Sequence, residues 1–274
     1  MNLYICGDLH GSAHVIEDFY KNNIKHSPRE AEENWIILLG DSGCNYYMNY
    51  KDHYFKQRLC SLPFNYFVIR GNHEERASIC AENSPTKWET VDLFGGKCLH
   101  QPEYPNIYYA SDAGGIYYIN GRKTLVVPGA YSVDKYYRLA RGWSWFSNEQ
   151  LSPQEMAALE SMAAGQYFDL VLSHTCPYTY RPTDLFLGCI DQSSVDSSME
   201  LWMDQLNEKI VYHVWCWGHY HADRVEAPYC EMFYQEIEDL EDIETRWGRY
   251  NETGELDWWL PKAPNFHMYS KYGN

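Results

Sequence analysis

Two carboxylates, one carboxamide and five imidazoles stand in five short blocks along this chain. Asp8 and His10 lie in Gly7-Asp8-Leu9-His10-Gly11, and Asp41 follows Gly40. Asn72 and His73 lie in Gly71-Asn72-His73-Glu74, His174 follows Ser173, and His219 and His221 lie in Gly218-His219-Tyr220-His221. Mixed oxygen and imidazole donors suit ions such as manganese, iron or zinc. Asp8 and His10, two apart in one loop, can reach a single ion, and the two oxygens of Asp41 can bridge two. Asn72 offers a neutral oxygen where a third carboxylate would over-neutralise the pair. His174 and His219 can complete a second ion, and His221 can turn back to the first. Two cations ~3.5–4 Å apart polarise a phosphoryl group and lower the pKa of a bridging water. That hydroxide can attack phosphorus in line while the charge building on the oxygens is stabilised. His73 follows a ligand but points to another side of its loop, which suits it to protonate the leaving oxygen or to stabilise the transition state. Glu74 can support the loop. A lone Gly-Asp or His-x-His carries little weight; the weight lies in the full set and its order.

These blocks need rigid elements to aim them. The first four follow apolar runs that read as buried strands: Leu3-Tyr4-Ile5-Cys6, Ile36-Ile37-Leu38-Leu39, Tyr66-Phe67-Val68-Ile69 and Leu170-Val171-Leu172. The fifth follows Val211-Tyr212-His213-Val214-Trp215-Cys216-Trp217. Residues 12–25 read as a helix with Ser12 as N-cap and Val15, Ile16 and Phe19 at helical spacing. A second helix covers part of 48–61. Strand, ligand loop and helix in alternation predict parallel strands joined by right-handed crossovers. In the middle, Ile107–Tyr109, Ile116–Ile119 and Thr124–Val127 predict close-spaced strands, with Asn120-Gly121 as a tight hairpin. Ser152-Pro153-Gln154-Glu155 is a capping box opening a helix over 153–164. Another helix near 193–208 precedes the last strand. Residues 231–257 are dense in Asp and Glu and read as a solvated, partly helical appendage ahead of Trp258-Trp259. The predicted division is a catalytic domain over 1–230 and an acidic C-terminal extension over 231–274, packed on it or appended to it.

Composition narrows the partners. A chain of 274 residues, 45% hydrophobic, can bury a full core. Its net charge of −16, from 22 basic against 38 acidic side chains, argues against extended nucleic acid, whose binders carry a basic footprint. Two bound cations would still make the site locally positive. The nine cysteines are odd in number and lack a CxxC pair, which fits free thiols in a reducing cytoplasm. No leader is read ahead of the first strand. No apolar run approaches the ~20 residues of a membrane span, so a cytoplasmic protein with no membrane partner is expected.

The five blocks together resemble the calcineurin-like metallophosphoesterase superfamily, whose motifs read GDxH, GDxx, GNH(E/D), H and GHxH. The matches run over residues 7–221. The resemblance implies an α/β fold: a four-layer αββα sandwich of two mixed β-sheets flanked by helices. It also implies two divalent or transition-metal ions, manganese first, with iron, zinc, nickel or cobalt as alternatives. Asp8, His10, Asp41 and His221 would hold one ion, and Asp41, Asn72, His174 and His219 the other, with His73 as the catalytic histidine. Gly7-Asp8-Leu9-His10-Gly11 and the Gly-Asn-His-Glu block look most like the branch of bacterial and phage serine/threonine phosphatases and diadenosine tetraphosphate hydrolases. That branch extends its second block to GDxxDRG. Here Gly40-Asp41-Ser42-Gly43-Cys44-Asn45 lacks the Asp that would orient the histidine and the Arg that would hold phosphate. The replacement candidates are Lys135 and Arg138 in the polar stretch after Gly129, then Arg76 and Arg181. The 129–146 segment, with Trp143 and Trp145, is expected to decide the substrate. The expected activity is hydrolysis of a small or exposed phosphate, a monoester, nucleotide or phosphoprotein. The alternatives are a cyclic-nucleotide phosphodiesterase or nuclease, and a non-catalytic scaffold that keeps the fold.

Overall fold

The computed structural model describes residues 1–84 and 86–253. In chain order the strands are β1 (Asn2–Cys6), β2 (Asn34–Leu38), β3 (Asn65–Val68), β4 (Glu89–Leu93), β5 (Gly96–His100), β6 (Ile107–Tyr109), β7 (Gly115–Ile119), β8 (Arg122–Val127), β9 (Tyr167–Ser173), β10 (Val211–Trp217), β11 (Arg224–Ala227), β12 (Cys230–Met232) and β13 (Ile237–Asp239). The α-helices are α1 (His14–Phe19), α2 (Tyr50–Cys60), α3 (Ala77–Asn83), α4 (Lys135–Arg141), α5 (Pro153–Ala163), α6 (Ser198–Asn207) and α7 (Leu240–Thr253). One sheet runs β13-β1-β2-β3-β6-β5-β4 and the other β11-β12-β10-β9-β8-β7. Both are mixed: β1, β2, β3 and β6 are parallel, as are β8, β9, β10 and β12, and antiparallel strands lie at the margins.

Alternation along each strand builds the layers, because successive side chains point to opposite faces. Leu3, Ile5, Ile37, Leu39, Phe67 and Ile69 meet Val126, Leu170, Leu172, Val214 and Cys216 in a core between the sheets. Their neighbours Tyr4, Cys6, Ile36, Leu38, Tyr66 and Val68 pack outward with Ile16 of α1 and Phe55 and Leu59 of α2. On the far side, Leu125, Val127, Phe168, Val171, Trp215 and Trp217 pack with Met156 and Leu159 of α5 and Met199, Trp202 and Met203 of α6. Strands buried on both faces are apolar throughout, which is why the sequence shows unbroken runs. The result is helix, sheet, sheet, helix.

Several local expectations hold. Asn120-Gly121 turns β7 into β8 with positive φ at both residues. Ser152 and Glu155 form the reciprocal capping box of α5. Two change. Ser12 caps nothing: Ala13 occupies the N-cap without a side-chain bond, and the first helix is a short α1 continued by a π-turn over Tyr20–Ile24. The Ser12 N–H instead donates to the Leu9 carbonyl, closing the ligand loop. The second change concerns residues 231–253, which are not a solvated appendage. β12 lies inside one sheet, β13 pairs antiparallel with β1 in the other, and Leu240, Ile243 and Trp247 of α7 enter the core between the sheets. Several of the acidic side chains are matched: Arg246 reaches Glu231 and Glu238, Arg122 reaches Glu244, and Arg29 reaches Asp239. Trp258-Trp259 and the remainder of 254–274 lie outside the described residues. No helix among the described residues is long and apolar enough to cross a membrane. All nine cysteines are free.

Candidate metal centre

The carboxyl ends of β1, β2, β3, β9 and β10 deliver the five blocks to one rim, where the loops bond to one another. The amides of His10 and Gly11 donate to the carbonyls of Asp41 and Ser42, each at 2.8 Å. Glycine precedes the ligands because the loops touch. A Cβ on Gly40 would lie 2.2 Å from the His174 ring, and one on Gly71 would lie 2.0 Å from Asp41 Oδ1. His10, Asp41, His219 and His221 all adopt positive φ, between 47° and 71°. Non-glycine residues take that conformation at a cost, and such strain gathers where surrounding structure fixes a functional side chain.

The side chains form a buried floor and a more open rim. Asp8, Asp41, Asn72 and His174 are buried; His10, His73, His219 and His221 are half-buried. His10 Nε2 and His221 Nε2 face each other at 2.9 Å. Asn72 Oδ1 lies 2.8 Å from His174 Nε2 and 3.1 Å from His219 Nδ1. His174 Nε2 is 3.5 Å from Asp41 Oδ1, and its Nδ1 lies 2.7 Å from the Leu39 carbonyl. Asp8 Oδ2 accepts from the His219 amide at 2.9 Å, and Asp41 Oδ1 from the His73 amide at 2.8 Å. Three sets of donor atoms lie within 4.8 Å of one another: Asp8, His10 and His221; Asp8, Asp41 and His174; and His10, Asp41 and His73. Asp8 thus stands between the two ends of the site, as Asp41 does.

The electrostatics suit a cation. Burial, then the charge of Asp41, pushes Asp8 well above the usual carboxylate range. Burial would raise Asp41 too, but His174 and His73 outweigh it and hold Asp41 well below that range. Burial works against charge on His174, yet Asp41 and Asp8 hold it up at about 9. Desolvation keeps His10, His73 and His219 below the ordinary imidazole value, and with the neighbouring His10 it takes His221 to about 3. Neutral imidazoles are the form that ligates metals. Asp8 Oδ1 is buried with no hydrogen-bond partner. A metal ion would satisfy that oxygen and supply the positive charge that now falls to His174, so the residues present fit the group.

The matching profile of the calcineurin-like phosphoesterases covers residues 1–223. The chain belongs to the calcineurin-like phosphoesterase family. Among solved structures it is similar to a phosphopantetheinyl hydrolase from Mycobacterium tuberculosis, at 14% identity over 96% of each chain and a TM-score of 0.41. It is also similar to a protein of unknown function from Aquifex aeolicus, at 15% identity over 64% of this chain and 80% of that one, with a TM-score of 0.28. No curated protein matches the sequence.

Around this candidate centre the other sequence-predicted residues fall differently. Arg76 is committed away from it, with Nη1 and Nη2 on Glu155 at 2.5 and 3.1 Å and further bonds to the carbonyls of Asn148 and Gln150. Arg181 pairs with Glu200 at 3.3 Å and stacks on Tyr178. Arg138 is 0% exposed, bonded to Ser132 Oγ and the Ser144 carbonyl and paired with Asp134 at 3.1 Å. Each of these three guanidiniums, a phosphate-clamp candidate in the sequence, meets a carboxylate and at least one further hydrogen-bond partner in the fold. Lys135 is half-buried with its Nζ 4.0 Å from the Trp145 ring centre. Glu74 is a loop support: it accepts from Ser42 Oγ and from the amides of Gly43, Cys44 and Gly71.

Three residues near the centre were not singled out from sequence. Asp134 Oδ1 lies 3.8 Å from His73 Nε2, and Tyr46 stacks on the His73 ring at 5.9 Å. Glu149 sits behind Asn72, reached through Ser132. Asp134 stands in the polar stretch that the sequence flagged as a whole. Nothing in the sequence around Glu149 marks it.

Proposed function

We propose that this chain is a metal-dependent phosphoester hydrolase with two cations in the centre. Asp8, His10, Asp41 and His221 would hold one, and Asp41, Asn72, His174 and His219 the other. The observation that carries this reading is the meeting, at one rim, of ligands from five strand ends around an orphaned carboxylate oxygen. When bound, the metal pair supplies Lewis-acid charge and a hydroxide near neutral pH. His73 stands beside Asp41 with Asp134 facing its Nε2, placed to donate a hydrogen bond or a proton to the leaving oxygen. Tyr46, stacked on that ring, limits its rotation.

The substrate is a small or exposed phosphate, in keeping with the acidic balance of the chain. A phosphodiester is the second reading. Arg76, Arg138 and Arg181 are all engaged elsewhere, and a diester carries less negative charge to be matched than a monoester dianion. Lys135 is the remaining cation among the four candidates.

Turnover of aryl and alkyl mono- and diesters with added manganese tests both readings. Manganese-dependent hydrolysis is expected, and His73→Ala should slow alkyl esters ~10²–10⁴-fold while metal content is retained. Aryl esters, with good leaving groups, should suffer far less. A purified protein that takes up no transition metal would leave only the scaffold.

A further inference from the structure

We infer that Ser132 and Glu149 are positioning residues that lock the Asn72 carboxamide with its oxygen toward the metal centre. An amide is nearly symmetric in shape, so packing alone does not decide which end faces His174 and His219. The decision comes from hydrogen-bond polarity. Ser132 Oγ has three polar neighbours: Asn72 Nδ2 at 2.8 Å, Glu149 Oε2 at 2.5 Å and the Arg138 guanidinium. A hydroxyl has one proton and two lone pairs. A guanidinium only donates and an ionised carboxylate only accepts. The Ser132 proton therefore goes to Glu149, and one lone pair goes to Arg138. The remaining lone pair requires a donor, so Asn72 must present its NH2 group and turn its oxygen to the opposite side. That oxygen meets His174 and His219.

Glu149 is itself fixed. Its Oε1 accepts from the Ser132 amide at 3.0 Å, and its Oε2 also accepts from Trp145 Nε1 at 2.9 Å. Ser132, Arg138 and Glu149 are all buried, so water cannot readily replace any member. The 129–149 segment thus reaches the centre from behind through a relay of fixed polarity, carboxylate to hydroxyl to carboxamide. Replacing Glu149 by glutamine keeps the shape but supplies the wrong polarity at one oxygen. Either the Ser132 hydroxyl or the Trp145 or Ser132 N–H then meets a donor.

The inference rests on the two-metal reading, and the experiment separates the two. Manganese binding to the full chain is measured by calorimetry, and the exchange-coupled manganese pair by electron paramagnetic resonance. Ser132→Ala and Glu149→Gln should each weaken one of the two manganese equivalents ~10–100-fold, the usual cost of losing a group that orients a ligand. The coupled signal should give way to that of isolated manganese. Leu159→Ala, a truncation in the core behind the second sheet, serves as the folding control and should lower Tm with both equivalents intact. No manganese uptake by the unaltered chain would sink the metal reading itself. Two equivalents of unaltered affinity in Glu149→Gln, or an equal loss in Leu159→Ala, would sink only the orienting role.

Discussion

Two buried carboxylates flank the loop of Asn72, and they hold it in different ways. Glu74 collects four donors, three of them backbone amides, and so staples the Asp41 loop to the Asn72 loop. Glu149 reaches no ligand directly; it sets the polarity of Ser132, which sets the polarity of Asn72. The first controls where the loops lie, the second which atom a ligand shows. Loss of position should cost stability and function together. Loss of polarity should cost metal affinity out of proportion to stability, because the fold keeps its shape. The same element of charge thus does two separable tasks, and the neighbours of the carboxylate decide which.

The largest expected effect tests the staple. Glu74→Ala removes the acceptor of four buried donors; the Cys44 amide keeps Ser42 Oγ at 3.1 Å, and the other three are stranded, each worth ~1–3 kcal/mol when unsatisfied. Urea unfolding should report a loss above ~4 kcal/mol. A loss no larger than that of a surface substitution would break the contrast with Glu149. Glu149→Gln comes next, its effect falling on one manganese equivalent as described above, with a smaller fall in Tm than Glu74→Ala.

A third carboxylate, Glu155, supplies the baseline: it pairs with Arg76 and caps α5 but touches no ligand. Burial would raise its pKa, yet the bonds from Arg76 and Ser152 outweigh it and hold it down at about 2. A depressed folded pKa means the stabilising contribution is present above the ordinary carboxylate value and is lost as pH falls toward about 2. Denaturant unfolding from neutral to acid pH should therefore fall less steeply in Glu155→Gln than in the unaltered chain. The difference should be about 1 kcal/mol, because the pair is partly exposed and screened. Manganese affinity at neutral pH should not move. A change there would extend the ligand-orienting network beyond Glu149.

Much of the scaffold was legible because it depends on local patterns. Runs such as Ile36-Ile37-Leu38-Leu39 are apolar on both faces, and a strand between two packed layers has no other option. Asn120-Gly121 and the Ser152–Glu155 box are turn and cap chemistry, settled within a few residues. The β4–β5 hairpin was missed because Glu89–Leu93 is an edge strand of alternating exposure without an apolar run. The reading of 231–253 as solvated failed because an acidic count does not show where the matching arginines lie. Arg246 pairs two of those carboxylates, Arg122 pairs a third and Trp247 donates to Glu231, so the inward-lying charges are met by partners and α7 can enter the core.

The sequence by itself marked the candidate ligand set. The blocks sit at strand ends, and both the donor types and the strand periodicity are local properties of the chain. It also marked the departure in the second block, where the phosphate-holding arginine of one branch is missing. What only the tertiary structure decided is which charged groups remain available. Arg76, Arg138 and Arg181 look equivalent in sequence, and each is taken by a carboxylate or carbonyl brought from elsewhere in the fold. Glu149 is unremarkable in sequence and becomes part of the centre because the fold sets it against Ser132. Hydrogen-bond polarity passes through space from one buried group to the next, and no spacing along the chain records it.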